Sequence, residues 1–264
     1  MQNLHTLIDA LHLEDLRNIE HPSIFDENEG YDMLIIRLPI ISETLSTVSL
    51  SFILTSDKSY FYDKDQQEFQ QLKDKFLGPY NMLDKYVDRL LKSFTRYKDS
   101  TSDMEEILYT HQETTKFMTE WLQLKQDLLR IERILMRTSE TMQNVLEYYK
   151  DNESFPMNHY VDLYEHIDRI LRSATLQLSK LDYLYSYYNV RTNEKMNKSI
   201  YLLTVISAIF LPLNLVVGFF GMNTSELPFS GGNNGTFYAI VLMLSLVTVT
   251  SIAAYYWQRK LDDS

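Results

Sequence analysis

Two runs near the end of the chain decide most of what it can fold into. Ile200 to Phe220 is 21 residues without a charged side chain, and Thr236 to Trp257 is 22 more. As a helix each reaches roughly 30 Å, the thickness of a hydrocarbon core. Two membrane spans, 200–220 and 236–257, are therefore expected, joined by an outer loop at 221–235. That loop carries Glu226 as its one charge, whereas Arg191, Lys195 and Lys198 precede the first run and Arg259 and Lys260 follow the second. The positive-inside bias puts both ends of the pair in the cytoplasm. A buried soluble helical hairpin is the competing reading, and two such runs in tandem with this charge asymmetry argue against it.

The remainder is a different material. All but Glu226, Asp262 and Asp263 of the 36 acidic residues lie before residue 197, as do all but Lys198, Arg259 and Lys260 of the 25 basic ones. The formal charge of -11 thus belongs to the first three quarters. Such a surface favours cations and repels nucleic acid, which is excluded as a partner. With no Cys, disulfides and thiolate metal sites are excluded too. The start, "MQNLHTLIDALHLEDL", has neither the basic residues nor the continuous apolar core of a secretory signal.

From 31 to 63, "YDMLIIRLPI", "TVSLSFILTS" and "SYFYD" are rich in β-branched and aromatic residues, and "SDK" makes a tight connection, so a small sheet containing a hairpin is predicted. From about Asp65 the pattern reads as helical almost to the first span. Gly78-Pro79 interrupts or kinks the first helix, and "KDNESFPMN" ends a long one beginning near Ser102. Along it Leu108, Phe117 with Met118, Trp121 with Leu122, Leu128 with Leu129, Ile134 with Leu135, and Met142 with Val145 recur at helical spacing, a packing stripe. After Pro156 nothing stops a helix before Pro212 and Gly218. Unbroken from Met157 to Phe220 it would run about 95 Å. The divisions expected are a 1–100 N-terminal α/β region, a 101–199 long-helix and stalk region, the two spans with their loop, and a 258–264 tail that is basic and then acidic.

Stepping 3, 4, 3, 4, 3, 4 from Asn197 gives Ile200, Thr204, Ser207, Leu211, Asn214 and Gly218, the seam of a supercoiled helix. Five of these seven positions are polar or small. An amide facing lipid is costly, so the seam faces other helices or water. Spacing alone fits both packing through small residues and a pore. A pore needs more wall than two helices supply, so a water-filled one requires a homo-oligomer.

"LTVISAIFLPLNLVVGFFGMN" resembles the first membrane helix of the CorA family of magnesium channels and transporters, which closes on a Gly-Met-Asn signature. "HPSIFDENEGYDMLIIRLP" and "SLSFILTSDKSYFY" resemble the family's N-terminal domain. The resemblance implies an α+β cytoplasmic domain, a small sheet plus long helices, continuing through a stalk helix into two transmembrane helices. It also implies a funnel-shaped homopentamer in the cell's inner or plasma membrane, first spans around the axis, both termini cytoplasmic. Gly221, Met222 and Asn223 match the signature, Asn223 being the residue whose oxygens meet the incoming ion. Asn197 matches the asparagine at the entrance to the span, with Ile200 and Leu203 at an apolar constriction and Leu211 one further ring. Asn214 stands where the family often has threonine. "DLYEH" resembles a family motif whose acid, here Asp162, belongs to intersubunit regulatory magnesium sites; its counterpart in the N-terminal domain has no evident match. The loop "TSELPFSGGNNG" lacks the family's fuller acidic and aromatic pattern.

The chemistry agrees with that resemblance. Magnesium dehydrates reluctantly, so a ring of neutral Asn oxygens can recognise the hydrated ion whole, and apolar rings can close by expelling water. Mg²⁺ is then both cargo and regulatory ligand, with Co²⁺ and Ni²⁺ as further cargo; partners are the chain itself, lipid and divalent ions, and no organic cofactor is called for. His159, Asp162 and His166 share one helical face, for which a solvated charged face is the simpler reading than a metal site. The cluster Tyr183, Tyr185, Tyr187 and Tyr188 reads as interhelical packing. No catalytic motif is credible at the spacings present, so no enzyme is expected. Two alternatives stand: a proton-coupled, ZntB-like zinc transporter, a branch that usually has Ile at the position of Met222, and a non-conducting membrane-anchored helical scaffold.

Overall fold

The computed structural model describes residues 4–110, 116–222 and 234–262. It divides into two compact units, Met1–Ser186 and Tyr187–Ser264.

The first unit opens with α1 (Leu4–Leu7) and α2 (Ala10–Arg17), the second capped by Asp9, whose carboxylate accepts from the Leu11 N–H at 2.8 Å. A five-stranded antiparallel sheet follows in chain order: β1 (Ile24–Asn28), β2 (Tyr31–Ile41), β3 (Leu45–Leu54), β4 (Ser59–Asp63) and β5 (Glu68–Gln71). Glu29 and Gly30 form the two-residue β1–β2 turn, and Gly30 takes φ 89°, which a residue without Cβ adopts freely. The expected "SDK" connection lies between β3 and β4, closed by Thr55 N–H to Lys58 C=O at 2.8 Å.

Side-chain alternation sorts the sheet's faces. Met33, Ile35, Ile53 and Tyr62 pack with Ile8, between the two small helices, and Leu16 of α2 into one core cluster. Leu34, Ile36 and Leu38, on the opposite face, are buried too, and β2 also meets α3 (Leu77–Ser93) and α5 (Phe117–Tyr149). A strand covered on both faces reads as a continuous apolar run, which is the look of "MLIIRLPI".

Three expectations need correction. The chain is not helical from Asp65: Asp63 accepts from the N–H groups of Asp65 and Gln66, Gln67 takes φ 53°, and the chain returns as β5. Gly78-Pro79 begins α3 instead of kinking a helix. Proline's missing N–H is harmless in a first turn, Asp74 caps Phe76 and Leu77, and a Cβ on Gly78 would stand 2.7 Å from the Leu72 Cβ. The long helix expected from Ser102 is two helices, α4 (Thr95–Tyr109) and α5, and Ser102 lies inside the first.

The packing stripe is narrower than expected. Trp121, Leu128 and Leu135 are buried, but their neighbours Leu122 and Leu129 are 50% and 41% exposed. Adjacent positions diverge by about 100°, and in these two pairs the second member turns outward. Tyr185 stacks on Trp121 with ring centroids 4.7 Å apart, whereas Tyr183 is exposed.

α6 spans Met157–Phe220, the limits expected, with Pro212 inside it; the boundary between the units falls within this helix, and α7 (Gly235–Asp262) completes the second. Among the described residues α6 is long and apolar enough to cross a membrane, and α7 offers a shorter apolar stretch, Ile240–Ala253.

Candidate ion pathway and metal-compatible cluster

The expected seam lies wholly on α6. Asn197, Thr204, Asn214 and Gly218 are exposed and Ser207 is half-buried. Ile200, Leu203 and Leu211 are 54%, 65% and 67% exposed. Large apolar side chains and the Asn214 amide thus stand uncovered on the charge-free segment that follows Lys198. The Thr204 hydroxyl donates to the Ile200 carbonyl at 2.9 Å, satisfying itself within the helix. A Cβ on Gly218 would meet nothing within 4 Å. Gly221 is different: its N–H bonds the Val217 carbonyl at 2.9 Å, and a Cβ there would stand 3.0 Å from that oxygen. A side chain at position 221 would therefore crowd the Val217 carbonyl in the last turn of the helix. Met222 follows, exposed, its N–H on the Phe219 carbonyl at 3.3 Å. Asn223 lies outside the described residues.

In the first unit the structure brings Asp162 into company that residue spacing did not reveal. Asp84 and Asp88, one turn apart on α3, and His166 on α6 each offer a ligand atom, all within 4.8 Å of one another. Asp162 Oδ1 is 3.8 Å from His166 Nε2, and His166 Nδ1 is buried without a hydrogen-bond partner among the described residues. Burial first, and then the charges of Asp88 and Asp162, push the Asp84 carboxyl up; the nearby His166 and His159 work against this. Burial, followed by Asp84, Asp162 and Asp88, also raises Tyr80. His159 does not join the cluster; its ring meets Tyr80 edge-on at 5.0 Å. Two carboxylates and an imidazole make a donor set suited to a divalent cation, with Asp162 within reach of a shift. The signal for Asp84 and Asp88 was their i, i+4 spacing in "LDKYVD", unreadable until α3 was known to face α6.

The family model described as CorA-like Mg2+ transporter protein matches residues 2–260. The chain belongs to the CorA family. Among curated proteins, the cobalt/magnesium transport protein CorA of Thermotoga maritima is 22% identical over 277 residues, covering 96% of this chain and 76% of that one. Its namesake in Methanocaldococcus jannaschii is 23% identical over 255 residues, covering 89% and 78%. Solved structures agree in fold. The complete CorA magnesium transporter of M. jannaschii superposes with a TM-score of 0.72 at 16% identity, covering 95% of this chain and 84% of that one. Full-length CmaX gives 0.72 at 17% identity, covering 97% and 82%. Another curated relative is matched over only 53% of its length. The CorA relatives are named as transport proteins.

Proposed function

We propose that this CorA-family chain is one subunit of a membrane channel or transporter for divalent cations, with Mg²⁺ as the main cargo and Co²⁺ and Ni²⁺ as further ones. The observation that carries the reading is the α6 seam: from Asn197, amides, hydroxyls and small residues recur at heptad spacing into a final stretch of the helix that has no charge after Lys198 and is followed by Gly221-Met222. Copies of α6 around an axis place Asn214, Ser207, Thr204 and Asn197 toward a shared lumen, and α7 supplies the second span. Five copies is the number the family resemblance implies. Asn223 then stands at the mouth, where neutral oxygens hydrogen-bond a hydrated ion without stripping its water. Ile200, Leu203 and Leu211 form apolar rings that close by dewetting.

Asp162 takes the role of a regulatory ligand, with Asp84, Asp88 and His166 as its neighbours within the same subunit. A divalent cation supplies there the positive charge that relieves carboxylate repulsion. Loss of that cation loosens the arrangement and opens the apolar rings, a negative feedback on uptake. The ZntB-like zinc reading is supported less well: the ZntB cytoplasmic domain of Vibrio parahaemolyticus superposes with a TM-score of 0.51.

Reconstitution into proteoliposomes tests the reading. Uptake of Mg²⁺, and of Co²⁺ and Ni²⁺ competing with it, is expected without a proton gradient. Proton-coupled uptake of Zn²⁺ alone would move the chain to the zinc branch. No flux of any of the four ions, from protein that is folded and oligomeric, would leave the scaffold reading.

A further inference from the structure

In a chain of formal charge -11, a cavity between β2 and α5 has the opposite sign. A space of about 390 Å³ between β2 and α5 is lined by Arg37, Arg133 and Arg137, with Ile134 and Met136 as apolar wall and Glu140 as its one carboxylate. Its wall is held in place. β1 begins at Ile24, paired with Ile35, so the β2 edge at Arg37 has no strand beside it; the Arg37 N–H donates instead to the Ser23 hydroxyl at 2.8 Å. Thr138 on α5 shares a hydrogen bond with that hydroxyl and donates to the Arg37 carbonyl at 2.7 Å. The two walls are therefore tied by buried hydroxyls, independently of the arginines' charge.

The three guanidiniums are short of anions. Arg37 donates to the Glu20 carbonyl and the Thr47 hydroxyl, and its Nε is buried without a partner. It has no carboxylate among the described residues. Arg133 makes no ion pair or hydrogen bond among them either. Arg137 reaches Glu140 at 3.3 Å, but both side chains are 55% exposed, so that pair is weak. A fourth cation reports the same excess: Lys64, bonded to the Asn18 carbonyl and to Ser49 opposite Arg37, is lowered to about 8 by burial and then by the charge of Arg37. Arg133 and Arg137, at i and i+4, lie on one face of α5 and can present two planar forks to the same group.

We infer that this cavity binds an oxyanion of the phosphate class, held by Arg37, Arg133 and Arg137. Guanidinium forks match phosphate oxygens two at a time, and a doubly charged oxyanion supplies the compensation that Glu140 alone does not. The cavity is larger than an inorganic phosphate needs, and Ile134 and Met136 suit the apolar body of a phosphate ester. A soluble phosphate compound and a lipid phosphate headgroup present the same chemistry. The inference does not depend on the transport reading.

Isothermal titration of the full chain in neutral detergent tests it, with inorganic phosphate, pyrophosphate and dihexanoyl phosphatidic acid as probes at constant ionic strength. Saturable binding of at least one probe, one per chain, is expected. Arg133→Gln with Arg137→Gln should weaken it by about tenfold or more, the scale of losing charge-assisted hydrogen bonds, while Arg172→Gln, on α6, leaves it unchanged. Binding of phosphatidic acid without the soluble anions would assign the site to a headgroup; the reverse would assign it to a soluble phosphate. Should the double variant be unstable, Arg133→Gln alone makes the comparison, since that exposed side chain has no partner to lose. No saturation with any probe, or equal binding by wild type and variant, overturns the inference.

Discussion

At the scale of one residue, Asn223 tests the proposed pore mouth and Lys64 shows how a side chain is set by its surroundings. At a pore mouth an asparagine carries function with little packing, so Asn223→Ala should reduce Mg²⁺ uptake to background in proteoliposomes while the oligomer persists. Normal flux in that variant would make the signature structural. Lys64 titrates at about 8 in the folded chain against an ordinary value of 10.5. Between these two values the unfolded chain holds a proton that the folded one has released, so this group makes stability rise with pH across that window. Lys64→Gln should remove that rise. The check is the denaturation midpoint of variant and wild type from pH 7 to 10.5: their difference should be flat below about 8 and grow in the wild type's favour above it.

Helix α5 shows how far one element can be read from its periodicity. Apolar pairs recur along it, and because neighbouring residues diverge by about 100° the two members of a pair can differ sharply in burial. Leu128 is fully buried and Leu129 is 41% exposed. Leu128→Ala should therefore destabilise the first unit by about 2–5 kcal/mol, the range for a core cavity, and Leu129→Ala by roughly 0.5 kcal/mol or less. Thermal unfolding of the detergent-solubilised chain measures both. Equal losses would mean that Leu129 is covered in the assembly, which would make this face of α5 a contact between subunits. Charge works similarly at the level of elements: Asp84 and Asp88 are ordinary solvated carboxylates on α3 alone, and become a donor set when α6 brings His166 against them.

A single copy of α6 leaves its polar seam and Ile200, Leu203 and Leu211 uncovered, so the proposed pore requires an assembly. Native mass spectrometry of the active, detergent-solubilised protein should give five times 31.2 kDa. A monodisperse monomer or dimer that still supports flux would sink the pore reading. Divalent occupancy near Asp162 should protect the pentamer from protease. Asp162→Asn should weaken the Mg²⁺ protection and raise flux at high Mg²⁺, and Asp84→Asn should do the same if the two carboxylates serve one ion. Unchanged protection and flux in both variants would place any regulatory site elsewhere.

Much of this was legible in the linear chain because the physics was local. A membrane span is a length and an absence of charge, a helix of 64 residues is the absence of any breaker, and strands such as "YDMLIIRLPI" declare themselves by β-branched residues. Features that depend on a partner distant in sequence were not. β5, "EFQQ", has no strand-like composition and exists because β4 offers an edge with the right register. Gly78-Pro79 looks like a break until Asp74 and Leu72 show it to be a start. The arginines of the anion cavity come from β2 and α5, about a hundred residues apart, and Asp84 meets His166 across two helices. Composition and periodicity therefore determined the two apolar runs and the unbroken helix to Phe220, which need only near neighbours, and the family was read from resemblance to its motifs. Which charges share a site was decided by tertiary structure, because an electrostatic field falls off with distance in space and takes no account of distance along the chain.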